Sequence, residues 1–124
     1  MIPSAEDVLR WWPAIAARYE RLDIVNDAAL RRALTRASVL AADDDSLEPA
    51  ALFVAFAETR AAFPGAWRLM AALLAQRQAM ELGYDLTASS HELSKLCSDV
   101  LHRRADATLV VERFRLWLVP IRQA

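Results

Sequence analysis

Ala61-Ala62-Phe63-Pro64-Gly65-Ala66-Trp67-Arg68-Leu69, running into Met70–Leu82 and closing on Gly83-Tyr84-Asp85-Leu86, is the stretch on which the fold turns. Pro64-Gly65 breaks the chain, because proline removes a backbone donor and glycine admits turn conformations that other residues resist. From Ala66 the next ten residues are apolar nearly all round, and a helix without a polar face is usually a central one. The pattern predicts a central buried helix over about 66–82, with Gly83 as its left-handed C-cap.

Working outward, Ser4 is a candidate cap for a first helix from Ala5 to about Tyr19, with Val8, Trp12, Ile15, Ala16 and Tyr19 on one face. Pro13 kinks or splits that stretch. Asn26 would cap a second helix with Leu30, Ala33, Leu34 and Ala37 as its stripe. Asp43-Asp44-Asp45 reads as an exposed loop. Ser46 follows as the cap of a third helix to about Ala61, with Pro49 tolerable in its first turn. Ser89 or Ser90, with Glu92 close behind, starts a fifth helix carrying Leu93, Leu96, Cys97, Val100 and Leu101. Asp106 would cap the last, whose stripe is Val110, Phe114, Trp117 and Leu118. The fold class is therefore all-α, a compact six-helix bundle with room for no more than a short hairpin.

Composition agrees. The chain has 124 residues, 56% of them apolar, and only two glycines. That length fits one domain over residues 1–124, and the alanine-rich, β-branched-poor content favours helix. Net charge is −1, with Lys95 the only lysine and the arginines spread along the chain. Without a concentrated basic patch, a nucleic-acid partner is not expected. No apolar run approaches the ~20 residues of a membrane span, so no membrane partner is expected either. The single cysteine and the absence of a signal-peptide pattern point to the cytoplasm.

The opening stretch resembles the Fic/Doc family signature, in which a loop H-P-F-x-D-G-N-K-R-T-A opens a long buried helix closed by a glycine, an aromatic and a leucine. Counting back from Gly83 places Ala61 on the motif histidine, Phe63 on the phenylalanine, Trp67 on the asparagine, Arg68 on the lysine and Leu69 on the arginine, with Gly65 and Ala66 inside the loop. Pro3–Leu9, Ile24–Leu34 and Ser90–Leu96 are similar to the family's Doc-type members in the same order. The resemblance implies a general base at the histidine, and phosphate held by the asparagine, the arginine and the helix N-terminus. Those groups are gone. Ala61 cannot accept a proton, Leu69 has no guanidinium fork to clamp phosphate, and Trp67 would fill the pocket. The implied protein is a catalytically degenerate member with no catalytic residue and no cofactor. It would be an inactive or repurposed toxin of a bacterial toxin–antitoxin pair, acting by binding an antitoxin-like helix or by self-association.

Arg68 and Arg60, beside a helix N-terminus that attracts anions, leave residual ATP and magnesium binding open, against the alternative that both are solvated. The rival reading is an active nucleotidyl- or phosphotransferase acting on a protein hydroxyl, with these arginines on phosphate and Glu58, three residues before Ala61, as substitute base. Other candidates are weaker. His91 and His102 lie ~16 Å apart along one helix and cannot share a metal. Cys97 falls in an apolar stripe and reads as core. The adjacent aspartates lack the alternating spacing of a calcium loop, so no metal site is expected. Trp11 and Trp12 point ~100° apart, so one lies at an edge. Trp11 is the candidate partner surface, with Leu9, against the alternative that it lies flat on a neighbouring helix.

Overall fold

The structure, a computed structural model, describes residues 1–20 and 25–121. Ile24, the first residue of the Ile24–Leu34 pattern, lies outside them. Helix α1 spans Ala5–Arg18. The Ser4 hydroxyl accepts from the Asp7 N–H while the Asp7 carboxylate accepts from the Ser4 N–H, a reciprocal capping box. Pro13 lies on the exposed side and the helix runs through it whole, neither split nor ended. Helix α2, Asp27–Leu40, starts where the Asn26 side chain accepts from the Ala29 N–H, and it buries Leu30, Ala33, Leu34 and Ala37 as expected.

Ser46 is not a helix cap. Its N–H and hydroxyl both donate to the Asp44 carboxylate, which starts a 3-10 turn at Asp45–Leu47 before helix α3, Glu48–Glu58. Pro49 occupies the first turn of α3. The helix stops short of Ala61 because Thr59 leaves helical dihedrals, at φ −111° and ψ 56°, and Arg60–Ala62 form a separate 3-10 turn. Helix α4 is Trp67–Glu81, followed by Gly83 at φ 86°, the left-handed region that glycine enters without penalty. Strand β1 (Tyr84–Leu86), helix α5 (Ser90–Leu101), helix α6 (Ala107–Trp117) and strand β2 (Leu118–Pro120) complete the order. The Ser89 box with Glu92 starts α5, and Asp106 caps α6. The two strands pair antiparallel, Tyr84 with Pro120 and Leu86 with Leu118, so they are not a hairpin but a ladder across two intervening helices.

The expected centre has moved. The helix following the Pro64-Gly65 turn forms over the expected span, but Arg68, Arg77, Met80 and Glu81 face solvent along it. The helix without a solvent face is α3, buried at every position from Glu48 to Ala57 and packed against α2, α4, α5 and α6. Its aromatics tie the layers together. Phe53 meets Phe114 of α6 at 5.3 Å between ring centroids, and Phe56 meets Phe63 at 6.2 Å. Glu48 is buried as a carboxylate because it has partners: its Oε1 accepts from the Met1 ammonium and from Gln78 Nε2, each at 3.0 Å. Gln78, equally buried on α4, also donates to the Met1 carbonyl at 2.9 Å. No helix among the described residues is long and apolar enough to cross a membrane.

Candidate functional site

The stretch 60–69 is pinned from both sides. The Asn26 N–H donates to the Ala62 carbonyl at 3.0 Å, and the turn closes through Phe63 N–H to Arg60 carbonyl and Ala66 N–H to Phe63 carbonyl. Phe63 is fully buried, with its ring 4.9 Å from that of Trp12 and in reach of Phe56, so it bonds α1 to α3 as a core residue. Ala61, Pro64 and Gly65 are exposed, whereas Ala62 and Ala66 are buried.

Trp67 is 8% exposed and belongs to the hydrophobic core. The Arg68 guanidinium lies 4.6 Å from the Trp67 ring centroid, a cation–π contact, and its Nη2 donates to the Ser98 hydroxyl of α5 at 3.0 Å. Leu69 is half-buried against the core. No side chain caps α4, so the N–H groups of its first turn have no intrahelical acceptor. The Arg60 side chain is exposed and makes no hydrogen bond or ion pair among the described residues. The two arginines considered for an anion thus differ: Arg68 is committed to Trp67 and Ser98, and Arg60 stands on the 3-10 turn. Five cavities among the described residues are all lined by residues outside 59–69.

Glu58 does not share a helix with Ala61. It is the last residue of α3, bonds Arg36 Nε at 3.2 Å, and walls a cleft of ≈510 Å³ with Leu101, Arg103 and Asp106. Cys97 is buried, and that burial pushes its thiol up to about 12 although Arg68 pulls the other way, so it is un-ionised at neutral pH and inert as a nucleophile. His91 and His102 are exposed, near the start of α5 and at its C-cap. No cluster of three or more His, Cys, Asp or Glu suited to a metal occurs among the described residues.

Trp11 is half-buried, with the Arg77 guanidinium over its ring at 3.8 Å from the centroid. This matches the edge position expected of one of the two neighbouring tryptophans, while Trp12 is the core residue. The contact crosses from α1 to α4 and borders an open groove of ≈320 Å³ floored by Ile15, Leu73 and Leu74 and edged by Arg18, Tyr19 and Arg77. Leu9 is half-buried and lies outside that lining. The sequence pointed to Trp11 but not to the arginines, since Arg77 is far along the chain. The one local signal was the Leu73, Arg77, Met80 spacing, which puts three residues on one side of α4.

Compared with models of known protein families, with curated proteins and with solved structures, the chain matches none.

Proposed function

We propose that this chain is a catalytically degenerate protein of Fic/Doc type that acts by binding another protein, as an inactive or repurposed toxin of a toxin–antitoxin pair would. The observation that carries the reading is the burial of Trp67. An indole packed in the core stands at the position where the resemblance expects a phosphate-binding asparagine, so that position offers a nucleotide no polar side chain. Ala61 on one side and Leu69 on the other offer neither a proton acceptor nor a guanidinium. In one respect the chain departs from the family's expectation, because α3 rather than the helix after the motif is the fully enclosed one.

The transferase alternative draws less support. Glu58 is held by Arg36 and sits on a different element from Ala61, and Arg68 is already engaged. Binding, by contrast, has a surface in the groove beside Trp11, where tryptophan, tyrosine and arginine meet, the residue types that carry most interface energy. Calorimetric titration with ATP and magnesium, with tryptophan emission followed in parallel, tests the reading. No heat and no quenching at millimolar nucleotide is the expected result. Saturable binding with quenching would overturn it and return the chain to phosphate chemistry.

A further inference from the structure

Two of the cavities have Leu47, Ala50, Val111 and Arg115 in common and so form one trough. Its larger lobe holds ≈270 Å³ and its smaller ≈180 Å³, and joined they enter the size range of small-ligand sites, ~300–1,000 Å³. The hollow follows from residue size. Ala50 and Ala51 of α3, with Val54 one turn on, make the floor of the larger lobe, and their short side chains leave beside α6 the space that a leucine would fill. On α6 and its C-cap, Ala107, Val111, Phe114 and Leu118 recur at i, i+4, i+7 and i+11, so one apolar wall runs along both lobes for ~16 Å.

Charge is distributed unevenly along this trough. Glu112 and Arg115 both line the larger lobe, whereas Arg115 is the only charged residue lining the smaller one. Its guanidinium makes no hydrogen bond or ion pair among the described residues. The Asp44 carboxyl is lowered first by the Ser46 hydroxyl and N–H and only last by Arg115, which stays beyond ion-pair distance. Tyr84 adds a phenol that has no hydrogen-bond partner among the described residues. The smaller lobe thus presents donors with no carboxylate in its lining, the arrangement that holds an anion.

We infer that the trough binds a medium-chain aliphatic monocarboxylate, its chain in the larger lobe over Ala50, Ala51 and Val54 and its carboxylate in the smaller lobe against Arg115 and Tyr84. One guanidinium matches one negative charge, and Glu112 repels the charged end from the larger lobe, which sets the direction of the ligand. This is a small-molecule site distinct from the groove beside Trp11, and it does not depend on the chain's binding another protein.

The test titrates hexanoate, octanoate and decanoate, each below its micelle-forming concentration, into isotope-labelled protein followed by NMR. Octylammonium and octanol serve as probes of the same chain length without the negative charge. The acids are expected to shift the Leu47, Ala50, Val111 and Arg115 amides, and to gain about fourfold in affinity per added methylene. Octanoate should bind ~10-fold more tightly than octylammonium, and Arg115→Gln, on an exposed side chain, should remove that advantage while leaving octanol binding unchanged. Tyr84→Phe should weaken octanoate by less. Equal binding of octanoate and octylammonium, affinity independent of chain length, or no shift with millimolar decanoate would each overturn the inference. So would shifts confined to another surface, or an Arg115→Gln variant that binds octanoate as the parent does. The ATP titration tests the protein-binding reading separately, so either can fail while the other stands.

Discussion

Helices α3 and α4 lie side by side, both rich in alanine, yet one is enclosed and the other is half a surface. The ten residues Glu48–Ala57 of α3 are all buried, whereas α4 alternates Met70, Ala71, Leu74, Ala75, Gln78 and Ala79 inside with Arg68, Arg77, Met80 and Glu81 outside. The difference lies in what interrupts the apolar run. Past Glu48, α3 has no charged residue until Glu58, and its alanines at 50, 51, 55 and 57 let four neighbouring helices approach closely. In α4, Arg77, Met80 and Glu81 recur at helical spacing and keep one face in water, while the Gln78 amide turns inward to Glu48. A hydrophobic start therefore does not make a helix central; an uninterrupted circumference does.

Five measurements strain that contrast. The largest effect is expected from Phe53→Ala, which empties a fully buried ring site between α3 and α6. It should cost about 3–5 kcal/mol and lower the melting temperature by at least ~10 °C. Leu73→Ala on α4, only half-buried, should cost clearly less in the same thermal melts. Equal losses would erase the distinction between the two helices. Next comes Gln78→Ala, which strips one of the two donors from the buried Glu48 carboxylate. Urea unfolding should show a loss of about 1–3 kcal/mol, and a neutral result would mean that the polar link between α3 and α4 is not structural.

Neither of these two helices has a side-chain cap, whereas α5 begins with one. Ser89→Ala should therefore cost about 1 kcal/mol, independently of the α3–α4 contact. The same caps set the acid limb of stability. Backbone and side-chain hydrogen bonds from Ser89 hold the Glu92 carboxyl below its usual range, those from Ser4 do so for Asp7, and the Ser46 hydroxyl and N–H do so for Asp44. Because the folded values are depressed, this stabilisation is complete above the unfolded carboxylate range near ~4 and is lost as pH falls through the folded values. Melting temperatures between pH 7 and 3 should fall in the acid range, with a shallower fall in Ser89→Ala. The smallest effect belongs to Met80→Gln on the open face of α4, within about 0.5 kcal/mol.

Helix starts were legible because capping is local: Ser4, Asn26, Ser89 and Asp106 each bond an N–H three residues on. Gly83 was legible for the same reason. Ser46 misled because its own N–H and hydroxyl are drawn back to the Asp44 carboxylate, two residues earlier, so that Asp44 caps a 3-10 turn there instead. The centre was not legible, since two neighbouring apolar helices look alike until their packing partners are known. The ladder between Tyr84–Leu86 and Leu118–Pro120 was invisible because its register is fixed by tertiary docking rather than by a turn. At the candidate site, the chemical emptiness of Ala61 and Leu69 could be read directly and the bulk of Trp67 foretold its burial. The cradle of Arg18 and Arg77 could not, because it exists only where α1 and α4 meet.

That ladder also bears on how the molecule comes apart. The Thr87 N–H and hydroxyl both donate to the Trp117 carbonyl, and the Ile121 N–H donates to the Gly83 carbonyl, so the excursion through α5 and α6 leaves and rejoins the chain at one place. A segment whose ends are tied together has already lost most of its loop-closure entropy, and lengthening it costs little more. The stretch between the two strands is thus closed at its base, and added residues at the exposed 102–104 bend should cost little in loop closure while α5 and α6 each stay packed on α3. Parting the clasp alone therefore does not release α5 and α6, because their buried faces remain on α3.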